Sequence, residues 1–110
     1  MTFEPFDIVA VPFPFSDQQA SKRRPALVVS STAFNQAHRH LILTMITSAA
    51  GQPWASDVPV QDWADAGLSV ACRIRLKLFT LDTALVLRRV GRLAPDDADR
   101  VQATLRRCLL

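Results

Sequence analysis

Residues 7–13 place valine or isoleucine at a spacing of two, so Val9, Val11 and Phe13 fall on one side of an extended backbone. This is the signature of a half-buried strand. Pro12 and Pro14 can donate nothing to a ladder, so the strand must stop there or run along an edge. A polar loop over 14–22 leads to Arg23, Arg24 and Pro25 and then to a second apolar strand over 26–30. The two strands make a hairpin with its charge at one end of the loop. Pro25 restricts Arg24 to extended backbone and helps fix the direction in which its guanidinium leaves the sheet, which makes Arg24 a candidate phosphate clamp.

Residues 31–37 are polar with Phe34 as an anchor and are compatible with a helical turn or a loop. The apolar run 41–47, bounded by His38, Arg39 and His40 before it and by Gly51 and Pro53 after it, has the length of a strand and predicts a central one. Residues 57–60 suggest a short strand, and 63–68 a turn closed by Gly67. Over 69–75, Val70, Cys72 and Ile74 alternate with Arg73 and Arg75, a half-buried strand with a basic outer face. Residues 78–81 continue it after a bend, Asp82 and Thr83 form a turn, and 85–93 is a last strand bearing Arg88, Arg89 and Arg92. Pro95 suits the first position of a helix, with Asp96 and Asp97 in its first turn, Arg106 and Arg107 in its last, and Ala98, Val101, Leu105 and Cys108 or Leu109 as its buried stripe. Five or six short strands and a C-terminal helix predict a mainly β fold, a small, strongly bent antiparallel sheet or barrel with the helix packed on it.

Composition narrows the class. At 110 residues and 49% hydrophobic, the chain fits one compact domain. It has no run long enough to span a bilayer and no signal-peptide pattern at its start, so a cytoplasmic location away from membranes is expected. Cys72 and Cys108 stand far apart with no partner pattern, which reads as buried free thiols and not as a zinc site or disulfide. His38 and His40 share one side of an extended segment but lack a third ligand, so no metal and no other cofactor is expected. Net charge is +3, and all 13 basic residues but Lys22 and Lys77 are arginine, whose planar fork suits phosphate.

The ordered set Asp7-Ile8-Val9, Pro12-Phe13, Arg24-Pro25-Ala26-Leu27-Val28-Val29-Ser30 and Ile46-Thr47-Ser48 resembles the toxins of the MazF/PemK type II toxin-antitoxin family. Gly67-Leu68-Ser69, Thr80-Leu81-Asp82 and Arg89-Val90-Gly91-Arg92-Leu93 continue the resemblance, which covers nearly the whole chain. It implies an SH3-like barrel, a homodimer, and a growth-inhibiting, metal-independent endoribonuclease that cuts single-stranded RNA at specific sequences and is held inactive by an antitoxin. An acidic, partly disordered antitoxin segment folding over a basic groove would fit that partner. The family's catalytic arginine and threonine fall on Arg24 and Thr47. Lys22, Arg23, Ser48, Asp17 and Gln19 are the further RNA contacts expected around them.

The chemistry can be argued from the residues themselves. RNA is cut without metal when its own 2′-hydroxyl attacks the adjacent phosphorus, which leaves a cyclic phosphate and a free 5′-hydroxyl. Such a reaction needs positive charge and directed donors at the growing phosphorane; Arg24 supplies both, and Thr47 adds a hydroxyl. Arginine stays protonated, so it serves as an electrostatic stabiliser or proton donor and not as a base. Where some relatives carry an acid before the Arg-Pro pair, this chain has Gln18 and Gln19 with Asp17 nearest, and the general base stays unassigned. Phe6 stands where a glycine usually precedes the Asp-Ile pair, and Asp7 reads as a structural acceptor. Trp54 and Trp63 are compatible with base stacking or with packing. Arg73, Arg75, Arg88, Arg89 and Arg92, on two strands expected to be neighbours, suggest a patch. Two other function classes fit less well. One is a binding module that has lost catalysis. The other is a gyrase-poisoning toxin of similar fold, which would need an aromatic C-terminal end where this chain has Cys108-Leu109-Leu110.

Overall fold

The computed structural model describes residues 2–13 and 22–110. Its elements run β1 (Asp7–Phe13), β2 (Lys22–Val28), α1 (Thr32–His38), β3 (His40–Ser48), β4 (Val58–Pro59), β5 (Cys72–Asp82), a 3-10 turn (Thr83–Leu85), β6 (Arg88–Arg92) and α2 (Pro95–Leu109). The six strands form one antiparallel sheet in the order β4-β5-β3-β2-β1-β6, curled into a half-barrel.

Strand alternation gives the sheet two apolar faces. On one, Val9, Val11, Ala26, Val28, Leu41, Leu43 and Leu81 pack with Phe3. On the other, Ile8, Leu27, Ile46 and Ile74 pack under α2 through Val101, with Ala98 and Leu105 at the margin. Burying an aliphatic side chain is worth about 1.5–3 kcal/mol, so both faces contribute heavily to stability. Pro12 and Pro25 lie within the β1–β2 ladder, opposite Arg23 and Ala10, but each is beyond the end of the ladder on the other side of its strand. Pairing of β2 with β3 is confined to Ala26, Leu27 and Val28, just past Pro25, and pairing of β1 with β6 ends at Ala10, before Pro12. A missing N–H costs no ladder bond at such a position.

Loops are tied down by side chains. Ser31 caps α1 by accepting from the Phe34 N–H at 3.1 Å, and the buried Asn35 donates to the Phe3 carbonyl at 3.0 Å and pairs with Ser30. Asp97, in the first turn of α2, is fully buried and accepts from the Gln61 and Asp62 N–H groups at 3.0 and 2.9 Å. It joins the 61–67 turn to the helix as well as favouring the helix dipole. Gly67 closes that turn at φ 92°, and a Cβ there would meet the Val90 carbonyl oxygen at 2.5 Å. Phe6 adopts φ 73°, a conformation that costs a residue with a Cβ about 1–2 kcal/mol. Its backbone is held on both sides: its N–H donates to Val28 at 2.7 Å, and its carbonyl accepts from Leu93 at 3.1 Å.

Several expectations change. The second strand begins at Lys22, because the β1 partner continues through Phe13, so the Arg-Pro pair lies inside the strand and not before it. The fifth strand begins at Cys72 and not at Ser69, and it continues through Asp82 as expected, the bend being a two-residue bulge at which the β3 ladder passes from Thr44–Leu78 to Met45–Arg75. Val70 precedes that strand and is exposed. The last strand is shorter than expected because Thr83–Leu85 turns instead. Thr104 takes a place in the helix's buried stripe, while Cys108 and Leu109 are exposed beyond the sheet's cover. Strands β5 and β6 are not neighbours: β3, β2 and β1 separate them, so their arginines form two groups.

Candidate active site

One face of the sheet changes character along its strands. Its odd-numbered β3 residues run Leu41, Leu43, Met45 and Thr47; the first two are fully buried and the last two are partly open. Ala26 lies opposite Met45, and carrying that register two residues on brings Arg24 opposite Thr47. On the other side of β3, Arg75 lies opposite Met45 and Arg73 opposite Thr47. Directly paired residues share a face, so two rows cross three strands: Ala26, Met45 and Arg75, then Arg24, Thr47 and Arg73.

Arg24 and Thr47 line one cavity of about 220 Å³ with Val11, Phe13, Pro25, Ala26, Met45, Ile46 and Phe79. The Arg24 guanidinium lies 5.5 Å from the Phe13 ring centroid, a cation–π contact that steadies it without consuming its donors. Among the described residues no carboxylate pairs with Arg24. The described lining holds no carboxylate or imidazole.

Beside the cavity lies a hub centred on Asp57. Its carboxylate accepts from Arg75 Nε at 3.1 Å and Nη2 at 2.9 Å, from Arg73 Nη1 at 3.5 Å, and from the Trp54 N–H at 2.8 Å. The bidentate hydrogen bond from Arg75 holds the Asp57 carboxyl below the usual aspartate range, against the opposing effect of burial, and Asp57 in turn raises the Arg75 value. Arg73 also donates to the carbonyls of Ala49 and Gly51, and Arg75 to that of Gln52 at 2.8 Å. The loop that follows Thr47 and Ser48 is thereby pinned to β5. The expected basic outer face is thus a paired, largely buried one at Arg73. Elsewhere, burial pushes the Cys72 thiol up and keeps it protonated.

The other expected site residues are dispersed. Lys22 shares the Arg24 face of β2 and is exposed. Arg23 alternates to the opposite side and lines a second cleft with Ala10, Ser69 and Arg88, which Arg24 and Pro25 also border. Ser48 is exposed at the end of β3, on the face opposite Thr47. Asp17 and Gln19 lie outside the described residues. Asp7 is buried, accepts from Arg92 and the Glu4 N–H, and is ion-paired with Arg89, a structural acceptor as expected. Trp63 packs against the core under α2, whereas Trp54 is exposed. His40 Nδ1 lies 2.8 Å from the His38 carbonyl.

Sequence reasoning missed Asp57 as the organiser. Its partners stand far along the chain, and the one available signal was the pair of arginines two apart on a strand, which need an acid if their stems are to be buried.

The chain matches the model of the PemK-like, MazF-like toxins of type II toxin-antitoxin systems over residues 4–109. No curated protein matches it in sequence. Among solved structures it is similar to MazF in a MazE-MazF complex from Deinococcus radiodurans, at 21% identity and TM-score 0.78 over 99% of this chain and 97% of that one. It is similar to a mycobacterial endoribonuclease in complex with its cognate antitoxin, at 14% identity and TM-score 0.77 over 98% and 93%. The Mycobacterium tuberculosis toxin MazF-mt6 follows at 17% identity and TM-score 0.74 over 94% and 95%.

Proposed function

Because this chain belongs to the PemK-like, MazF-like toxin family of type II toxin-antitoxin systems, we propose that it is a sequence-specific, metal-independent endoribonuclease acting on single-stranded RNA in the cytoplasm. The observation that carries the reading is that Arg24, which no carboxylate among the described residues neutralises, and the Thr47 hydroxyl line one cavity. A scissile phosphate seated there receives two directed donors and a full positive charge from Arg24 and a hydroxyl from Thr47. The RNA's 2′-oxygen bonds to phosphorus as its proton passes to solvent water, the bond to the 5′-oxygen breaks, and that oxygen takes a proton from water, while Arg24, which stays protonated, stabilises the phosphorane. Relatives solved in complex with antitoxin support a cognate antitoxin as partner, for which an acidic, partly disordered segment is expected, and a homodimer is the expected assembly.

Incubating the protein with long single-stranded RNA in EDTA, beside Arg24→Ala and Thr47→Ala, tests this directly. Discrete cuts with 5′-hydroxyl ends are expected, slowed about 10²- to 10³-fold when either donor is removed. Intact RNA with folded wild type, or equal cutting by Arg24→Ala, would replace the nuclease with a binding module.

A further inference from the structure

Trp54 is 43% exposed although it stands in an otherwise well-anchored loop. Two cations address its ring: the Arg75 guanidinium carbon lies 4.8 Å from the ring centroid and Lys77 Nζ 5.3 Å. Asp57 sets this arrangement from both ends, holding the Trp54 backbone by its N–H and the Arg75 fork by two hydrogen bonds. Lys77 belongs to the bulge of β5, the irregularity that brings an additional side chain toward the loop. The indole is therefore oriented before any ligand arrives. Its surroundings also carry more positive charge than the single carboxylate of Asp57 offsets.

Position gives the platform a purpose. Arg75 lies opposite Met45, which lines the Arg24–Thr47 cavity, and the row it occupies is about 7 Å along the strands from the Arg24–Thr47 row. An aromatic surface flanked by cations is the chemistry that holds unpaired bases, because every base has a π-face and every linkage a negative charge. We propose that Trp54 stacks on an unpaired base of the single-stranded RNA adjoining the scissile phosphate, with Lys77 beside it to meet the backbone. Asp57 is the positioning residue that fixes the ring through its own N–H and through Arg75. The proposal rests on the ribonuclease reading and adds to it a residue that binds substrate without touching the reacting atoms.

The chain has two tryptophans, so Trp63→Phe leaves Trp54 as its only indole. The probe is an oligoribonucleotide spanning a mapped cut, carrying a 2′-O-methyl group at the attacking position so that it binds without being cut. Titration into the Trp63→Phe protein is expected to quench the Trp54 emission. Trp54→Ala is expected to weaken binding about tenfold while the single-turnover rate at saturating RNA holds, and Trp54→Phe should restore most of the affinity. Unchanged Trp54 emission while the oligomer binds, or wild-type affinity in Trp54→Ala, would overturn the stacking role and leave the nuclease intact. Failure of the underlying reading looks different: wild type that neither cuts nor binds takes both down.

Discussion

Asp57 and Asp7 both have buried carboxylates that hold two arginines, and they differ in what they do with them. The Asp57 arginines are themselves sequestered, with side chains 10% and 14% exposed, whereas those of Asp7 are 41% and 53% exposed. Arg73 and Arg75 continue inward to loop carbonyls beside the cavity; Arg89 and Arg92 lie over the sheet's far edge, closing β6 onto the N-terminal segment. Charge that is desolvated and multiply bonded fixes geometry, while charge left in water mainly closes an edge. The first arrangement belongs to a site and the second to a fold.

That distinction can be broken experimentally. Asp57→Ala frees Arg73, Arg75 and Trp54 together, and should slow RNA cleavage about 100-fold, since small displacements of positioning groups have effects of that size. A full cleavage rate in a folded variant would remove Asp57 from the site. Asp7→Ala should leave the rate per folded molecule unchanged while costing about 2 kcal/mol in urea denaturation, because the Glu4 N–H and two guanidinium groups lose their acceptor. Acid titration sharpens the contrast. The folded-state value of Asp57 is lowered, so its stabilisation is complete above the ordinary value of 3.8 and is lost as pH falls through the lower folded value. Asp57→Asn should therefore flatten the acid limb of a stability-against-pH curve, and an unaltered limb would contradict it.

The smallest effect concerns Phe6. Glycine usually costs stability relative to alanine, but at φ 73° the order should reverse. Both truncations lose the ring's packing against the core under α2, and only alanine keeps the strain. Phe6→Gly should thus exceed Phe6→Ala by about 1 kcal/mol in thermal or urea unfolding.

Much of this was legible in local pattern. The first strand was readable to its ends, because alternation and two prolines mark it, and the C-terminal helix because Pro95 and its terminal charges mark it. The bulge was legible only as a bend: residues 78–81 read as continuing 69–75, but nothing local reports the two-residue offset against β3. Strand order was not legible either, so Arg73 and Arg88 seemed neighbours. Arg24 and Thr47 could be named from family resemblance, but the Asp57 hub depends on β5 returning beside the loop after β3. No local signal reports a contact of that span.

The bulge in β5 also constrains how this protein can change over time. It adds two residues to the strand, not one, so Leu81, Phe79, Arg75 and Arg73 all stay on the same side as Leu41, Leu43, Met45 and Thr47. A one-residue insertion or deletion between the buried end and the cavity end would turn every downstream side chain to the opposite face, exchanging arginine for isoleucine. Lineages descending from this sequence are thereby restricted to paired length changes within β3 and β5. If the ribonuclease reading holds, new RNA preferences come from the connecting loops, whose length can change without disturbing the parity that keeps core and cavity in line.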